Sequence, residues 1–184
     1  MKKLAVLLTF LAVAAAHGQT TNTPSTWFGV YNSTVGATLV RGMSPIGSLT
    51  GQVTYPVDLR VERLTIDHST NSTYAVAVRT RFSKSVSHVD YIDYDELDGL
   101  IRGLATMSAA NHNSAPMDDF EVVYRLRCGM SVAKISNGNN IVIAIRSADA
   151  NGTRNQIASY VLDDFQRLLS TAKSKIETIA AGGQ

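Results

Sequence analysis

The stretch from Val89 to Met107 constrains the fold most, because it reads as a strand that runs directly into an amphipathic helix. Asp93, followed three residues later by Glu96, has the spacing of a capping box and predicts that the helix begins here. Four apolar residues then share one helix face: Leu97, Leu100, Ile101 and Leu104. A helix with a single apolar stripe must be buried against another element, so we expect it to pack on a sheet.

A segment near the C-terminus repeats this pattern. Six residues, Asp163, Asp164, Phe165, Leu168, Leu169 and Ala172, match Asp95, Glu96, Leu97, Leu100, Ile101 and Leu104 in order. The strand-like run YAVAVRT at 74–80 likewise matches IVIAIRS at 141–147. We therefore predict an α+β fold with two pseudo-repeats, about 53–110 and 118–181. In each, antiparallel strands are followed by a helix, and the helices cover one sheet face.

The N-terminus has the pattern of a secretory signal. Lys2 and Lys3 precede an uncharged apolar run, and small residues at 14–18 suit cleavage, so we predict a signal peptide over residues 1–18. No later run reaches the length of a membrane span. We expect an exported protein that is periplasmic or extracellular.

Residues 19–52 read as an N-terminal extension ahead of the duplicated domain at 53–184. The run Trp27–Tyr31 is rich in β-forming residues, and a turn at 32–36 predicts a hairpin with residues 37–41. Residues 42–51 are rich in Gly, Ser and Pro and predict a turn-rich connection.

The net charge bears on which partners the chain can bind, and the cysteine count bears on disulfides. The net charge is +2, and because Lys2 and Lys3 supply it, a chain without residues 1–18 is neutral and has no global field for polyanions. This argues against nucleic acid as the partner. Cys128 is the only cysteine, which precludes an intramolecular disulfide, and we interpret it as a small buried hydrophobe.

No motif in the sequence has the pattern of a catalytic or cofactor site. The acidic group from Asp90 to Asp98 lacks the alternation of a calcium loop, so we interpret it as capping and solvated charge and predict no metal. Phosphate-loop, dinucleotide and nucleophile-elbow motifs are missing as well, and we predict a non-enzyme without a cofactor. A hydrolase using His88 and the nearby carboxylates is the catalytic alternative.

Four arginines are the candidate ligand-binding residues. By strand alternation, Arg79 and Arg81 share one face, and Arg125 and Arg127 share another. Guanidinium groups on an open sheet can hold carboxylate, phosphate or sulfate groups. The alternative is a solvated face balanced by neighbours such as Glu62 and Glu121.

Two resemblances accompany these patterns. The motif YIDYDELDGLIRGL at 91–104, the strand YRLR at 124–127 and the helix DDFQRLL at 163–169 resemble exported bacterial proteins of unknown function. This likeness covers about residues 53–180 and implies no activity. The order of the units is similar, in architecture only, to the repeated sheet-and-helix units of whirly-type and PUR-type single-strand nucleic-acid binders.

The sequence therefore predicts an exported, non-enzymatic binding or interaction module. Its partner would be an unknown protein or an anionic ligand on the arginine-bearing faces, with the Trp27 segment as a further contact. Exposed sheet edges would also suit a homodimer. A single-stranded nucleic-acid or polyanion binder is the alternative among binding functions, and it predicts affinity that falls steeply with salt.

Overall fold

The computed structural model describes residues 26–50, 56–66, 71–81, 83, 85–111, 113–114, 117–138, 140–147, 154–158 and 161–182. The helices are α1 (Trp27–Asn32), α2 (Leu97–Ala109) and α3 (Val161–Gly182), and a 3₁₀ turn at Tyr94–Glu96 leads into α2. The strands are β1 (Leu39–Leu49), β2 (Val57–Ile66), β3 (Ser72–Arg81), β4 (Ser87–Asp93), β5 (Asp119–Arg125), β6 (Ser131–Asn137), β7 (Asn140–Arg146) and β8 (Arg154–Ala158).

The strands form two antiparallel sheets in which each strand pairs with its neighbour in sequence. The first sheet has the order β1-β2-β3-β4 and the second has the order β5-β6-β7-β8. Short polar connections suffice because antiparallel neighbours can be joined by hairpins. Gly138, with a φ of 58°, occupies the tight turn between β6 and β7, where the left-handed conformation favours glycine. The predicted α+β class is confirmed.

One hydrophobic core joins both sheets to both long helices. On the first sheet, one face is apolar by alternation and includes Leu59, Val76, Val78 and Ile92, all at most 2% exposed. We call this its core face and the opposite side its outer face. The core faces of both sheets and the apolar stripes of α2 and α3 belong to the same cluster.

Each long helix covers the sheet of the other half of the chain. Helix α2 follows the first sheet in sequence but lies against β5, whereas α3 lies chiefly against β1 and β2, with smaller contacts to β3 and to β8 of its own half. The contact of α2 with β5 is close, because a Cβ added at Gly103 would collide with the ring of Tyr124. The two halves are therefore packed across one another.

The N-terminal hairpin prediction was wrong. Residues 27–32 form helix α1 rather than a strand, and β1 pairs with β2 rather than with that segment. Thr26 caps the helix by accepting a hydrogen bond from the Gly29 amide at 2.9 Å, and this local start signal outweighs the β propensity of the aromatic residues. The predicted turn-rich residues 42–49 belong to β1, which has a register shift between Pro45 and Gly47.

Two further predictions fall on residues that the structure does not describe, and a third, the capping box, is not seen. The predicted signal peptide at 1–18 and the domain boundary at 52–53 lie outside the described residues. The predicted capping box does not form, since neither Asp93 nor Glu96 makes a side-chain cap to the turn or helix that follows it. Among the described residues, no helix is long and apolar enough to cross a membrane.

Candidate functional site

The structure does not bring the four candidate arginines together. Arg79 and Arg81 alternate with the buried Val78 and Thr80 and so lie on the outer face of the first sheet. Arg125 is exposed at the end of β5, in the other sheet. Arg127 lies beyond that strand in a turn, closed by a hydrogen bond from the Leu126 amide to the Met130 carbonyl. The predicted common face of Arg125 and Arg127 is therefore wrong, because the chain turns between them.

Arg127 is committed to an ion-pair network. Its Nη1 lies 3.1 Å from Asp93 Oδ2, and its Nη2 lies 3.1 Å from Asp95 Oδ2. Its backbone amide donates to Glu96 Oε1 at 2.8 Å. These neighbours raise the pKa of Arg127, chiefly through the Asp95 hydrogen bond. Arg127 thus links the second sheet to the end of β4.

A groove lined by aromatic rings lies beside this network. Its volume is about 380 Å³, within the range of small-molecule sites. The indole of Trp27, the only tryptophan in the chain, lines it and is 60% exposed. The complete lining is Trp27, Tyr31, Ser72, Thr73, Tyr74, Asp93, Tyr94 and Asp95. Four of these residues are aromatic and two are carboxylates.

Helix α1 supplies Trp27 and Tyr31 to this aromatic groove, and Asp93 fixes its position. The two carboxylate oxygens of Asp93 accept hydrogen bonds from the backbone amides of Trp27 at 2.7 Å and Phe28 at 3.0 Å. Phe28 is fully buried and stacks on Tyr91, with ring centroids 4.7 Å apart. The helix is thereby docked on the outer face of the first sheet, with Trp27 left exposed.

The surroundings of the groove are acidic. The Tyr94 hydroxyl donates a hydrogen bond to Glu177 Oε1 at 3.1 Å. The pKa of this phenol is raised, mainly by desolvation and secondly by the hydrogen bond to Glu177. Asp98 pairs with Lys173 at 2.8 Å, which lowers the pKa of Asp98. Among the charged residues that line the groove or bond to its lining and its partners, carboxylates outnumber cations. The carboxylates are Asp93, Asp95, Glu96, Asp98 and Glu177, and the cations are Arg63, Arg127 and Lys173.

This combination of rings and charge determines what the groove can hold. Aromatic faces carry negative electrostatic potential and attract cations positioned over the ring. Nearby carboxylates add Coulombic attraction for the same group. The arrangement therefore suits a ligand with a positively charged, partly apolar group.

His88 and Asp90 do form a pair, but their arrangement differs from that of a nucleophilic triad. His88 Nε2 lies 3.3 Å from Asp90 Oδ1, and the Ser147 hydroxyl donates to Asp90 Oδ2 at 2.8 Å. The carboxylate thus stands between imidazole and hydroxyl, whereas a triad places the imidazole between them. Asp90 and Ser147 are 3% and 6% exposed, so their contact is a buried link between the two halves.

The Cys128 thiol is held in its neutral form. Burial is the main cause that raises its pKa to about 12, and the charges of Asp90 and Glu96 contribute. A thiol with this pKa is almost entirely protonated at neutral pH and is a poor nucleophile.

Comparisons with known protein families, curated proteins and solved structures returned no match. Within the groove, the sequence pointed to Trp27 and Tyr31 but not to Tyr74, Tyr94 or Asp95 as ligand contacts. The sequence feature that indicates this site is the density of aromatic and acidic residues at 91–96, where Tyr91 and Tyr94 alternate with carboxylates.

Proposed function

We propose that the chain is an exported, non-enzymatic binding module whose ligand site is the aromatic groove. The observation that carries this proposal is the convergence of Trp27, Tyr31, Tyr74 and Tyr94 on one concave surface with Asp93 and Asp95. Trp and Tyr are enriched at interfaces, and they are among the residues that contribute most to binding energy. The signal-like residues 1–18 support export.

The ligand carries a cationic group, such as a quaternary or primary ammonium. Asp95 is the accessible carboxylate of the groove: its Oδ2 pairs with Arg127, but its side chain is 56% exposed. The Asp93 side chain is 3% exposed and is occupied by both α1 and Arg127. Asp95 therefore supplies the charge that the ligand meets, and the rings supply the surface. A nucleic acid would meet an excess of carboxylates here, which is unfavourable for a polyanion.

We also infer that the two halves, about 53–110 and 118–181, are pseudo-repeats. The matching segments of sequence fall in the third strand of each sheet, β3 and β7, and in the helices α2 and α3. Residues 53–110 hold three antiparallel strands, β2 to β4, before α2, and β1, which completes the first sheet, precedes these residues. Residues 118–181 hold four antiparallel strands, β5 to β8, before α3. Helix α1 precedes only the first half, so the groove belongs to that half alone.

Trp27 fluorescence tests the ligand class directly. Because Trp27 is the only tryptophan, the emission reports on the groove without labelling. The full chain is titrated with choline and, separately, with the uncharged analogue in which a carbon replaces the quaternary nitrogen. We expect saturable binding of choline and at least tenfold weaker binding of the analogue, a difference of about 1.4 kcal/mol.

Variants locate the binding. Asp95→Asn, which removes the accessible charge, should weaken choline binding about tenfold, as expected for a charge pair worth about 1.4 kcal/mol. The matched control is Asp118→Asn, at an exposed carboxylate outside the groove lining, and it should leave the affinity unchanged. Equal affinity for choline and its analogue, or equal effects of the two variants, would contradict the proposal.

A further inference from the structure

The outer face of the first sheet holds a second cavity, separate from the aromatic groove. Its volume is about 200 Å³, and its lining shares no residue with the groove. It opens where the pairing of β1 with β2 shifts register between Pro45 and Gly47. The lining residues are Pro45, Gly47, Ser48, Asp58, Leu59, Arg60 and Arg79.

Arg79 differs from the other arginines of this face. Arg60 pairs with Glu62, Arg81 pairs with Asp58 at 3.2 Å, and Arg41 lies 3.7 Å from Glu62. The Arg79 guanidinium has neither a hydrogen bond nor an ion pair within the described part of the chain. It is only partly exposed and lines the cavity. Within that part of the chain, its five N–H donors are available to a bound group.

Asp58 does not neutralise Arg79, although the two residues are direct partners across β2 and β3. Asp58 Oδ1 accepts a hydrogen bond from the Ser48 hydroxyl at 2.7 Å, and Oδ2 accepts one from Arg81 at 3.2 Å. Both oxygens are therefore engaged. Since Arg60 pairs with Glu62 and Asp58 pairs with Arg81, Arg79 carries the positive charge of the lining that these pairs leave unbalanced.

We propose that this cavity is an oxyanion site, in which Arg79 binds a carboxylate, phosphate or sulfate group through its planar N–H fork. Guanidinium groups match such anions bidentately, and a partly buried position reduces screening by salt. Arg60, on the neighbouring strand, also lines the site but is paired with Glu62. A volume of about 200 Å³ leaves room for an anion and for water at its open side.

The probes are inorganic phosphate, sulfate and acetate, each titrated into the full chain at constant ionic strength set with chloride. Binding is followed by amide chemical shifts in ¹H–¹⁵N NMR spectra. We expect saturable shifts at Gly47, Ser48 and Asp58 with at least one probe. The ranking of the three probes distinguishes a tetrahedral anion from a carboxylate ligand.

Two arginine variants assign the site. Arg79→Gln should weaken binding at least tenfold. Arg79→Lys, which keeps the charge but loses the fork, should have an intermediate effect. Arg125→Gln, on the other sheet, is the matched control and should have no effect. The spectrum of each variant without anion shows whether the fold is retained. Shifts that do not saturate, or equal losses for Arg79→Gln and Arg125→Gln, would overturn the proposal.

Choline, the probe for the aromatic groove, separates the two sites, since it should leave the anion affinity of this cavity unchanged.

Discussion

Two charged side chains show how single residues hold remote parts of this chain together. Asp93 accepts hydrogen bonds from two amides of α1 and pairs with Arg127. Lys134, which is 8% exposed on β6, donates to the carbonyl oxygens of Ser108 at 3.0 Å and Ala110 at 2.6 Å. A cation at this place satisfies carbonyls that the end of α2 leaves free and complements its dipole. Buried charge is thus used to fix helix ends.

Lys134→Met tests this role. Methionine keeps the apolar stem but leaves the carbonyls at the end of α2 without their donor, so we expect the free energy of unfolding to fall by about 2 kcal/mol. Urea denaturation measures the change. Lys175→Met, at an exposed position on α3, serves as the control and should alter stability by less than about 0.5 kcal/mol. Equal stability of the two variants would show that the carbonyls find other partners.

At the scale of elements, α1 is the piece most dependent on tertiary contacts. It has six residues, too few for an isolated helix to persist in water. Its docking relies on Asp93 and on a small cluster in which Phe28 packs against Leu64 and Ala75, apart from the main core. Such an element can open locally without unfolding the protein.

Phe28→Ala should therefore release α1 and spare the rest. We expect hydrogen exchange at residues 27–32 to lose its protection and choline binding at the groove to be lost, while the amides of β3 stay protected. The contrasting variant is Leu104→Ala, at a fully buried position in the main core, which should lower global stability by about 2–5 kcal/mol. Loss of β3 protection in Phe28→Ala would show that α1 is part of the global folding unit.

The elements that sequence reasoning predicted are those set by local pattern. Helix α2 and the alternating strands β2 and β3 carry their own periodicity, and the structure has them. Helix α1 and strand β1 lack such a local pattern. Helix α1 is stabilised by Asp93, which lies far along the chain, and β1 is held by its pairing with β2 despite its Gly and Pro residues. The sequence did not predict the groove, because its aromatic rings come from three separate elements: α1, β3 and the turn after β4.

On the scale of the whole molecule, the crossed packing of the helices makes the two halves interdependent. The first sheet is covered by α3, and α2 lies against the second sheet, so neither half encloses a core with its own helix alone. The buried contact of Ser147 with Asp90 and the Arg127 ion pairs add polar links between the halves. Cooperative unfolding is the expected result.

The single cysteine provides a measurement of this cooperativity. Because burial raises the pKa of Cys128 to about 12, we expect the folded thiol to react very slowly at pH 8, and the unfolded thiol to react at its ordinary rate. The Cys128 thiol in the second half should become reactive at the same urea concentration at which the amides of β3 in the first half lose their protection. A lower urea concentration for Cys128 would indicate that the second half opens by itself.

The same raised pKa gives a dependence of stability on pH. Folding keeps the thiol protonated, so this contribution is fully present below the ordinary thiol pKa of 9.0 and is lost as pH rises from there towards 12. Cys128→Ser should flatten the fall in unfolding free energy over this alkaline window. An unchanged slope would assign the alkaline loss of stability to other groups.

The irregularity in β1 also bears on how the protein behaves at high concentration. A foreign strand that extends a sheet needs an unbroken row of amide donors and carbonyl acceptors on the edge it joins. Pro45 has no amide hydrogen, and the register shift that follows it turns the remaining groups out of line. A second molecule can therefore pair regularly with β1 only as far as Ser44. Although Val40 and Met43 are exposed along that short stretch, the kinked edge limits edge-to-edge aggregation.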